Sequence, residues 1–276
     1  MDAPLNGQVA VVTGGSRGLG RAIAQLLGEA GASIVVGALP GDGVEQAVAE
    51  LRRSGIRAEG RDTDVADLAQ VEALRDAAIM LGGLDIWVNN AGTGSPYGPT
   101  HLLDPADFER VLDANVRGVF HGTRTAVQTM LAQDSGQVVN VWGKGAAKPV
   151  PLQNAYAASK AWNRMFTRAV RQEVAGTGVQ VHGFDPGLVR TEMLRHVTVM
   201  PGMEKRVRAL PVVVGLWGQS PEVAARPVLE LVTGQRRGDY EDLTPRRVVG
   251  RGVRSLVRGD LRRNRRMTLD VTVRGD

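Results

Sequence analysis

The stretch VVTGGSRGLG at residues 11–20 decides the fold of this chain. It joins an apolar, β-branched segment at residues 8–13 to a helical pattern at residues 21–30. Its glycines can adopt positive φ angles and let backbone amides approach an anion, and the N-terminus of the helix that follows stabilises negative charge. A glycine cluster between a first strand and a first helix is typical of a phosphate-binding loop. A tight turn without a ligand is the alternative.

Short apolar segments alternate with helical patterns along the rest of the chain. Strands are predicted at residues 8–13, 33–36, 57–61, 84–89, 137–141 and 179–184, with a seventh near 240–243 or 246–249. Helices are predicted at residues 21–30, 44–54, 68–81, 105–133 and 154–175. Short apolar strands separated by helices indicate a parallel sheet that is covered on both faces. We therefore predict an α/β fold: a Rossmann-like, doubly wound parallel sheet flanked by helices, in a single domain.

The composition excludes several classes of site. The chain has 276 residues, of which 43% are hydrophobic and none is cysteine. It therefore has no disulfide, no zinc–thiolate centre and no thiol nucleophile. The four histidines lack the spacing of a metal site, so no metal is predicted. The apolar runs are too short to span a membrane, and the N-terminus lacks a secretory signal, so we expect a soluble cytoplasmic protein.

The net charge of +5 is placed unevenly. Residues 236–276 contain twelve arginines and six acids. We predict a dinucleotide-binding domain at residues 1–245, which includes a substrate lid at about 192–220, and an arginine-rich extension at residues 246–276. The extension could pack as an amphipathic helix on a neighbouring subunit, contact anionic lipid or nucleic acid, or remain solvated. We favour the solvated form and expect no nucleic acid partner, because no aromatic side chains stand among these arginines.

The end of the second strand bears on the choice of cofactor. An acidic residue at this position would bind the ribose 2′-hydroxyl of NAD. The strand instead ends in Gly37, Ala38 and Leu39, and Asp42 lies beyond it in a loop. Arg17 in the glycine-rich stretch could reach a 2′-phosphate. The sequence therefore favours NADP(H) over NAD(H).

A second constellation is formed by Tyr156 and Lys160. Residues four apart on a helix lie on one face, so both side chains are predicted to point into the same cleft. A lysine ammonium beside a phenol favours the phenolate and lowers its pKa. Such a tyrosine can act as an acid or a base near neutral pH. An ordinary surface pair is the alternative.

Taken together, residues 7–235 resemble the classical short-chain dehydrogenase/reductase family. The matching motifs occur in the order of the family: TGxxxGxG at residues 13–20, Asp64-Val65, NNAG at residues 89–92, Asn115, YxxxK at residues 156–160, and Pro186-Gly187 followed by Thr191. The resemblance implies Tyr156 as the general acid, Lys160 as its partner and Asn115 as the residue that holds a proton relay through a backbone kink. It implies cofactor contacts at Gly14, Ser16, Arg17, Gly18, Leu19, Gly20, Ala38, Asp64, Val65, Asn90, Ala91, Gly92, Tyr156, Lys160, Pro186, Gly187, Val189 and Thr191.

One position departs from the family pattern. The resemblance implies a catalytic serine 13 residues before the tyrosine, where this chain has Gly143, preceded by Trp142. Other donors could replace the serine, among them the amides of residues 143–145, Lys144 or Ser95. The substrate could instead carry its own hydrogen-bonding group, or the protein could be a catalytically silent homologue that binds nucleotide in a regulatory or scaffolding role. We favour an active ketoreductase, because Asn115, Tyr156 and Lys160 all remain.

The expected partners are a small-molecule carbonyl substrate and further copies of the chain. The candidate substrate residues are Trp142, Gly143, Lys144, Ser95, Tyr97 and Met193. The apolar lid favours an aromatic or polyketide-like ketone. A homodimer or homotetramer is expected through the helices that carry Asn115 and Tyr156, with contributions from Ala114, Val119, Ala126, Trp162 and Met165.

Overall fold

The structure, a computed structural model, describes residues 3–242, 250 and 269–274. Its strands are β1 Val9–Thr13, β2 Ser33–Ala38, β3 Ala58–Asp62, β4 Ile86–Asn89, β5 Gly136–Val141, β6 Val179–Asp185, β7 His196–Val199, β8 Asp239–Glu241 and β9 Asp270–Val273. Seven of them form one parallel sheet in the order β3-β2-β1-β4-β5-β6-β8, and β7 pairs with β9 in a second sheet. The predicted fold class is confirmed.

Helices cover both faces of the main sheet. They are α1 Gly18–Glu29, α2 Val44–Arg53, α3 Leu68–Leu81, α4 Pro105–Leu112, α5 Gly118–Ala132, α6 Asn154–Glu173, α7 Glu192–Arg195, α8 Glu204–Val207, α9 Leu210–Trp217 and α10 Pro221–Val232. On one face, Leu27 of α1 and Leu231 of α10 are fully buried against the strands. On the other face, Leu74, Met130 and Val170 come from α3, α5 and α6. The helices described here include none that is long and apolar enough to cross a membrane.

Two helical regions differ from the sequence prediction. The single helix predicted at residues 105–133 is divided by a π-helical turn at Asp113–Arg117, which separates α4 from α5. A π turn inserts an extra residue into the helix and is frequent at functional sites. The expected backbone kink at Asn115 therefore has a defined form. Helix α10 was not predicted, because Pro227 lies inside it and proline normally interrupts a helix.

Strand β9 of the C-terminal extension pairs with β7, which lies in the segment predicted to be a substrate lid. Strand β9 runs parallel to β7, with Val199 opposite Val273. The backbone amide of Arg274 donates to the carbonyl oxygen of Val199 over 2.8 Å, and its guanidinium lies 3.1 Å from the carboxylate of Asp107 in α4. At residues 270–273 the solvated extension that the sequence predicted is thus a paired strand. The possible strand at 246–249 and most of the extension lie outside the described residues.

Candidate active site

The crevice above the main sheet opens where the strand order reverses. From β1 the chain moves to β2 and β3 on one side and then returns to β4 on the other side of β1. The loops that follow β1 and β4 therefore diverge from each other at the carboxyl ends of these two strands. Doubly wound sheets bind their ligands at this position. The glycine-rich stretch and the NNAG motif both lie at this point.

Three glycines of the glycine-rich loop, Gly14, Gly18 and Gly20, stand where a side chain would meet close neighbours. Gly14 and Gly18 have φ angles of +62° and +55°. A Cβ atom on Gly20 would lie 2.1 Å from the carbonyl oxygen of Gly14, and one on Gly18 would lie 3.2 Å from Cγ2 of Thr191. The side chain of Arg17 makes no capping hydrogen bond at the start of α1. The first amides of α1 can therefore face an anion, as a dinucleotide pyrophosphate requires.

The end of β4 is fastened to this loop by hydrogen bonds. The side-chain amide of Asn90 donates to the carbonyl oxygens of Thr13 and Gly14 over 3.0 and 3.1 Å. The hydroxyl oxygen of Thr13 in turn accepts the amides of Asn90 and Ala91, each over 3.1 Å. The two sequence motifs thus form a single rigid floor for the crevice.

The part of the site that is predicted to bind the cofactor ribose contains both apolar and charged residues. Ala38 is buried and Leu39 is half-exposed. The exposed guanidinium of Arg17 lies 3.3 Å from the carboxylate of Asp42 and 3.5 Å from that of Glu192. The structure therefore brings Asp42, which the sequence leaves in a separate loop, next to Arg17. Of the predicted adenine pair, Asp64 is exposed and Val65 is buried.

Tyr156, Lys160 and Asn115 converge on one side of the crevice. The Nζ atom of Lys160 lies 5.5 Å from the ring centroid of Tyr156 and donates to the carbonyl oxygen of Val141 over 3.4 Å. Asn115 is fully buried, and its Nδ2 donates to Ser159 Oγ over 3.0 Å. A Cβ atom on Gly92 would lie 2.8 Å from Asn115 Oδ1 and 3.4 Å from Lys160 Nζ, so both groups lie against the NNAG turn.

Burial dominates the protonation of the Tyr156–Lys160 pair. It raises the pKa of Tyr156, and the charges of Asp185 and Tyr97 act in the same direction. Burial lowers the pKa of Lys160 to about 8, while Asp185 opposes this shift. The pKa of Tyr156 thus moves in the direction opposite to the one predicted from the Tyr–Lys spacing, because removal of the phenol from water disfavours the phenolate.

Asp185 is a residue of this site that the sequence reasoning missed. It ends β6 directly before Pro186, and its Oδ1 accepts the amide of Gly187 over 2.9 Å. Burial raises the pKa of its carboxyl group to about 6. The available signal was an acid at the carboxyl end of an apolar strand, next to the predicted PGxxxT segment.

The position of the expected serine lies directly against the tyrosine hydroxyl. A Cβ atom on Gly143 would lie 3.2 Å from Tyr156 Oη, and apart from residues 142 and 144 no other heavy atom of the described residues would come within 4 Å of it. Trp142, in contrast, is only 2% exposed. A Cβ on Gly183 would overlap its indole ring. The prediction that Trp142 lines the substrate pocket is corrected, because its ring packs against β6.

The remaining candidate substrate residues have different surroundings. Ser95 is buried, Lys144 is exposed and Met193 is half-exposed. The backbone amide of Tyr97 donates to the carbonyl oxygen of Thr198 over 2.9 Å, and the carbonyl oxygen of Tyr97 accepts the amide of Met200 over 2.8 Å. Tyr97 is therefore bonded to the segment at residues 198–200, which lies in the predicted lid.

Comparison with known proteins gives consistent results. The family model described as short chain dehydrogenase matches residues 8–201. A cis-4-hydroxycyclohexanecarboxylate dehydrogenase of Sinomonas cyclohexanicum is 36% identical over 79% of this chain and 86% of its own length. A levodione reductase of Leifsonia aquatica is 32% identical over 79% of this chain and 85% of its own. The crystal structure of a metagenomic short-chain oxidoreductase in complex with NADP superimposes with a TM-score of 0.71 and 27% identity, over 86% of this chain and 97% of that one.

Proposed function

We propose that this chain, which belongs to the short chain dehydrogenase family, is an NADPH-dependent carbonyl reductase. The observation that carries the proposal is the meeting of Tyr156, Lys160 and Asn115 beside the glycine-rich crevice. The uncapped N-terminus of α1 and the positive φ angles of Gly14 and Gly18 support binding of a dinucleotide pyrophosphate at this loop, against which the side chain of Thr191 packs. Bound NADPH would supply a hydride to the carbonyl carbon.

The residues of the chain supply the proton and its route. The O–H bond of Tyr156 breaks as its proton passes to the carbonyl oxygen, and the product is an alcohol. Lys160 lies within 5.5 Å of the phenol ring and can stabilise the phenolate that is left. The side-chain oxygen of Asn115 accepts the amide of Thr93 over 2.8 Å and holds the turn at Gly92, which also faces Lys160.

Gly143 leaves space beside the tyrosine hydroxyl for a group of the substrate. A Cβ atom at this position would have Tyr156 Oη, at 3.2 Å, as its one neighbour within 4 Å among the described residues outside 142–144. We infer that the substrate is an apolar, aromatic or polyketide-like ketone, with its own hydrogen-bonding group beside the carbonyl. Such a group would replace the donor that the resemblance implies at position 143. The amides of the turn at residues 143–145 are the second source of a donor.

The preference for NADPH rests on Arg17. Its two carboxylate partners form exposed ion pairs, and such pairs contribute about 0–1 kcal/mol. A 2′-phosphate, with two negative charges, can therefore recruit the guanidinium from Asp42 and Glu192. Position 38 holds an alanine, so no carboxylate at the end of β2 competes with the 2′-phosphate for the guanidinium.

Assembly into a homodimer or homotetramer is part of the proposal. On α5 and α6, Phe120 is 44% and Met165 is 67% exposed, and Trp162 stacks on Phe166 at 4.7 Å between ring centroids. These residues form an apolar face on the helices that were expected to form the interface. Val119 and Ala126, which the sequence assigned to it, are buried inside the chain. Light scattering at micromolar concentration should give at least twice the chain mass of 29.4 kDa.

Substitution Tyr156→Phe tests the proposed reaction. It removes the hydroxyl and keeps the ring, so folding and NADPH affinity should survive while turnover falls by about 10²–10⁴. The measurement is NADPH oxidation with a panel of aryl and polyketide-like ketones. The matched control is Tyr240→Phe, since Tyr240 lies on β8 and its hydroxyl contacts Asp242. A wild-type rate that Tyr156→Phe retains would refute the mechanism, and NADPH binding without turnover of any ketone would favour a silent homologue.

A further inference from the structure

Strand β7, in the predicted lid, has neighbours on both of its edges. At one edge the amide of Tyr97 donates to the carbonyl oxygen of Thr198 over 2.9 Å, and Tyr97 forms a bridge with Val199. At the other edge β7 pairs in parallel with β9, where Val199 lies opposite Val273. Apolar side chains of the three segments pack together, among them Tyr97, Val199 and Val273. Strand β7 therefore lies between the loop that follows β4 and the C-terminal strand.

Arg274, the residue after β9, joins this strand to α4. Its backbone amide donates to the carbonyl oxygen of Val199 over 2.8 Å. Its guanidinium lies 3.1 Å from the carboxylate of Asp107 and 3.6 Å from that of Asp104. The side chain of Asp107 is only 5% exposed, and its Oδ2 atom accepts no hydrogen bond from the residues that the structure describes. Burial of a carboxylate is costly unless it is paired, and Arg274 supplies a positive charge at this oxygen.

The other oxygen of Asp107 leads to the active site. Asp107 Oδ1 accepts a hydrogen bond from Arg110 over 3.0 Å, and Arg110 also donates to the hydroxyl of Thr93 over 3.1 Å. The amide of Thr93 donates to Asn115 Oδ1 over 2.8 Å, and Asn115 Nδ2 donates to the carbonyl oxygen of Thr93 over 2.9 Å. Thr93 is thus held by α4 on one side and by Asn115 on the other.

These contacts form a closed ring. The chain runs from Thr93 to Tyr97, whose bonds lead to β7 and from there to β9. From β9, Arg274 and Asp107 lead through α4 back to Thr93. We propose that Arg274 is a positioning residue of the reductase site: its contact with Asp107 holds the predicted lid against the turn that Asn115 fixes. The inference deepens the proposed function and rests on it for its catalytic meaning.

Substitution Arg274→Gln breaks the ring at this contact and leaves the backbone bond to Val199 in place. The KM for a ketone should rise about fivefold, because a lid that is held less firmly orders the substrate less well. The kcat and the affinity for NADPH should stay within about twofold, since Tyr156, Lys160 and the glycine-rich loop keep their contacts. A loss of folded protein would instead lower kcat at an unchanged KM, and that result would contradict the inference.

Two further variants test whether Asp107 is the partner. Arg274→Lys keeps the positive charge, so its KM should return to within about twofold of the wild-type value. Asp107→Asn should raise KM, and the double variant should raise it by less than the product of the two single effects, because residues of one ion pair are not additive. The full product would overturn the inference. If Asp107→Asn does not fold, the comparison of Arg274→Gln with Arg274→Lys decides, and equal KM values in these two variants would overturn it.

Arg236→Gln is the matched control. Arg236 is 40% exposed and lies 3.1 Å from Glu230, whereas Arg274 is 45% exposed and lies at the same distance from Asp107. The control pair joins α10 to the residues that follow it, so its loss should leave KM within about twofold. An equal rise of KM in Arg236→Gln, or an unchanged KM in Arg274→Gln, would overturn the inference.

A spin label on β9 gives a readout that needs no substrate. The chain has no cysteine and Val271 of β9 is exposed, so Val271→Cys provides a single attachment site. The mobile component of the electron paramagnetic resonance spectrum should grow in Arg274→Gln and stay the same in Arg236→Gln. Equal spectra of these two variants would contradict the inference. A label that becomes mobile in Arg274→Gln, in a protein whose wild type reduces no ketone, would defeat the proposed function and leave the link between β9 and α4 standing.

Discussion

A methyl group on Gly20 would lie 2.1 Å from the backbone of Gly14, whereas one on Gly143 would meet only the Tyr156 hydroxyl, at 3.2 Å. These positions represent two halves of the crevice. The cofactor half, residues 13–20 and 90–92, is fixed by backbone contacts and hydrogen bonds. The proposed substrate half consists of residues 143–151 and of the predicted lid at 192–217, together with strand β9, which pairs with β7. The difference indicates that substrate choice can change without loss of the dinucleotide site.

The largest effect is expected from substitution in the cofactor half. Gly20→Ala should lower NADPH affinity about 100-fold, which corresponds to roughly 3 kcal/mol of overpacking against backbone that cannot move aside. Gly143→Ala, the matched control, should leave NADPH affinity within about twofold, since its one close neighbour is the end of a side chain. Fluorescence titration of both variants measures this contrast. Equal losses of NADPH affinity in the two variants would contradict the proposed difference between the two halves of the crevice.

A tenfold effect on cofactor preference is expected from Arg17, at the solvent-exposed edge of the cofactor half. Arg17→Ala should reduce the preference for NADPH over NADH about tenfold, because one charge-assisted contact to a phosphate contributes roughly 1.5 kcal/mol. Asp42→Asn should act in the opposite direction, since it removes a carboxylate that holds the guanidinium at 3.3 Å. The measurement is the ratio of the two dissociation constants. A ratio that stays the same in Arg17→Ala would place the 2′-phosphate elsewhere.

A smaller effect is expected from the tail of the substrate half. Deletion of residues 269–276 removes β9 and the contact of Arg274 with Asp107. The strand is largely exposed, so the free energy of unfolding should fall by only about 1 kcal/mol. The KM for a ketone should rise about threefold to tenfold, because the lid loses the strand that pairs with β7. Steady-state kinetics and chemical denaturation separate the two effects, and an unchanged KM would show that β9 does not order the lid.

The sequence predicted the features that depend on neighbouring residues and missed features that depend on residues far apart in the chain. The strands of the main sheet and the helix at residues 68–81 were predicted because hydrophobic periodicity is local, whereas β7 and β9 were not predicted. Asn115 and its kink were found through the resemblance. Helix α10 was missed because Pro227 interrupts the local pattern, while the burial of Val228 and Leu231 in the core stabilises the helix.

The sequence by itself determined the doubly wound fold, the glycine-rich loop and the Tyr156–Lys160 pair, since each depends on residues that are close together along the chain. The tertiary structure decided how distant segments meet. It brought Asp42 next to Arg17, packed Trp142 against Gly183, and paired β9 with β7. Charge coupling, burial and strand pairing depend on separation in space, and a pattern of neighbouring residues does not contain that separation.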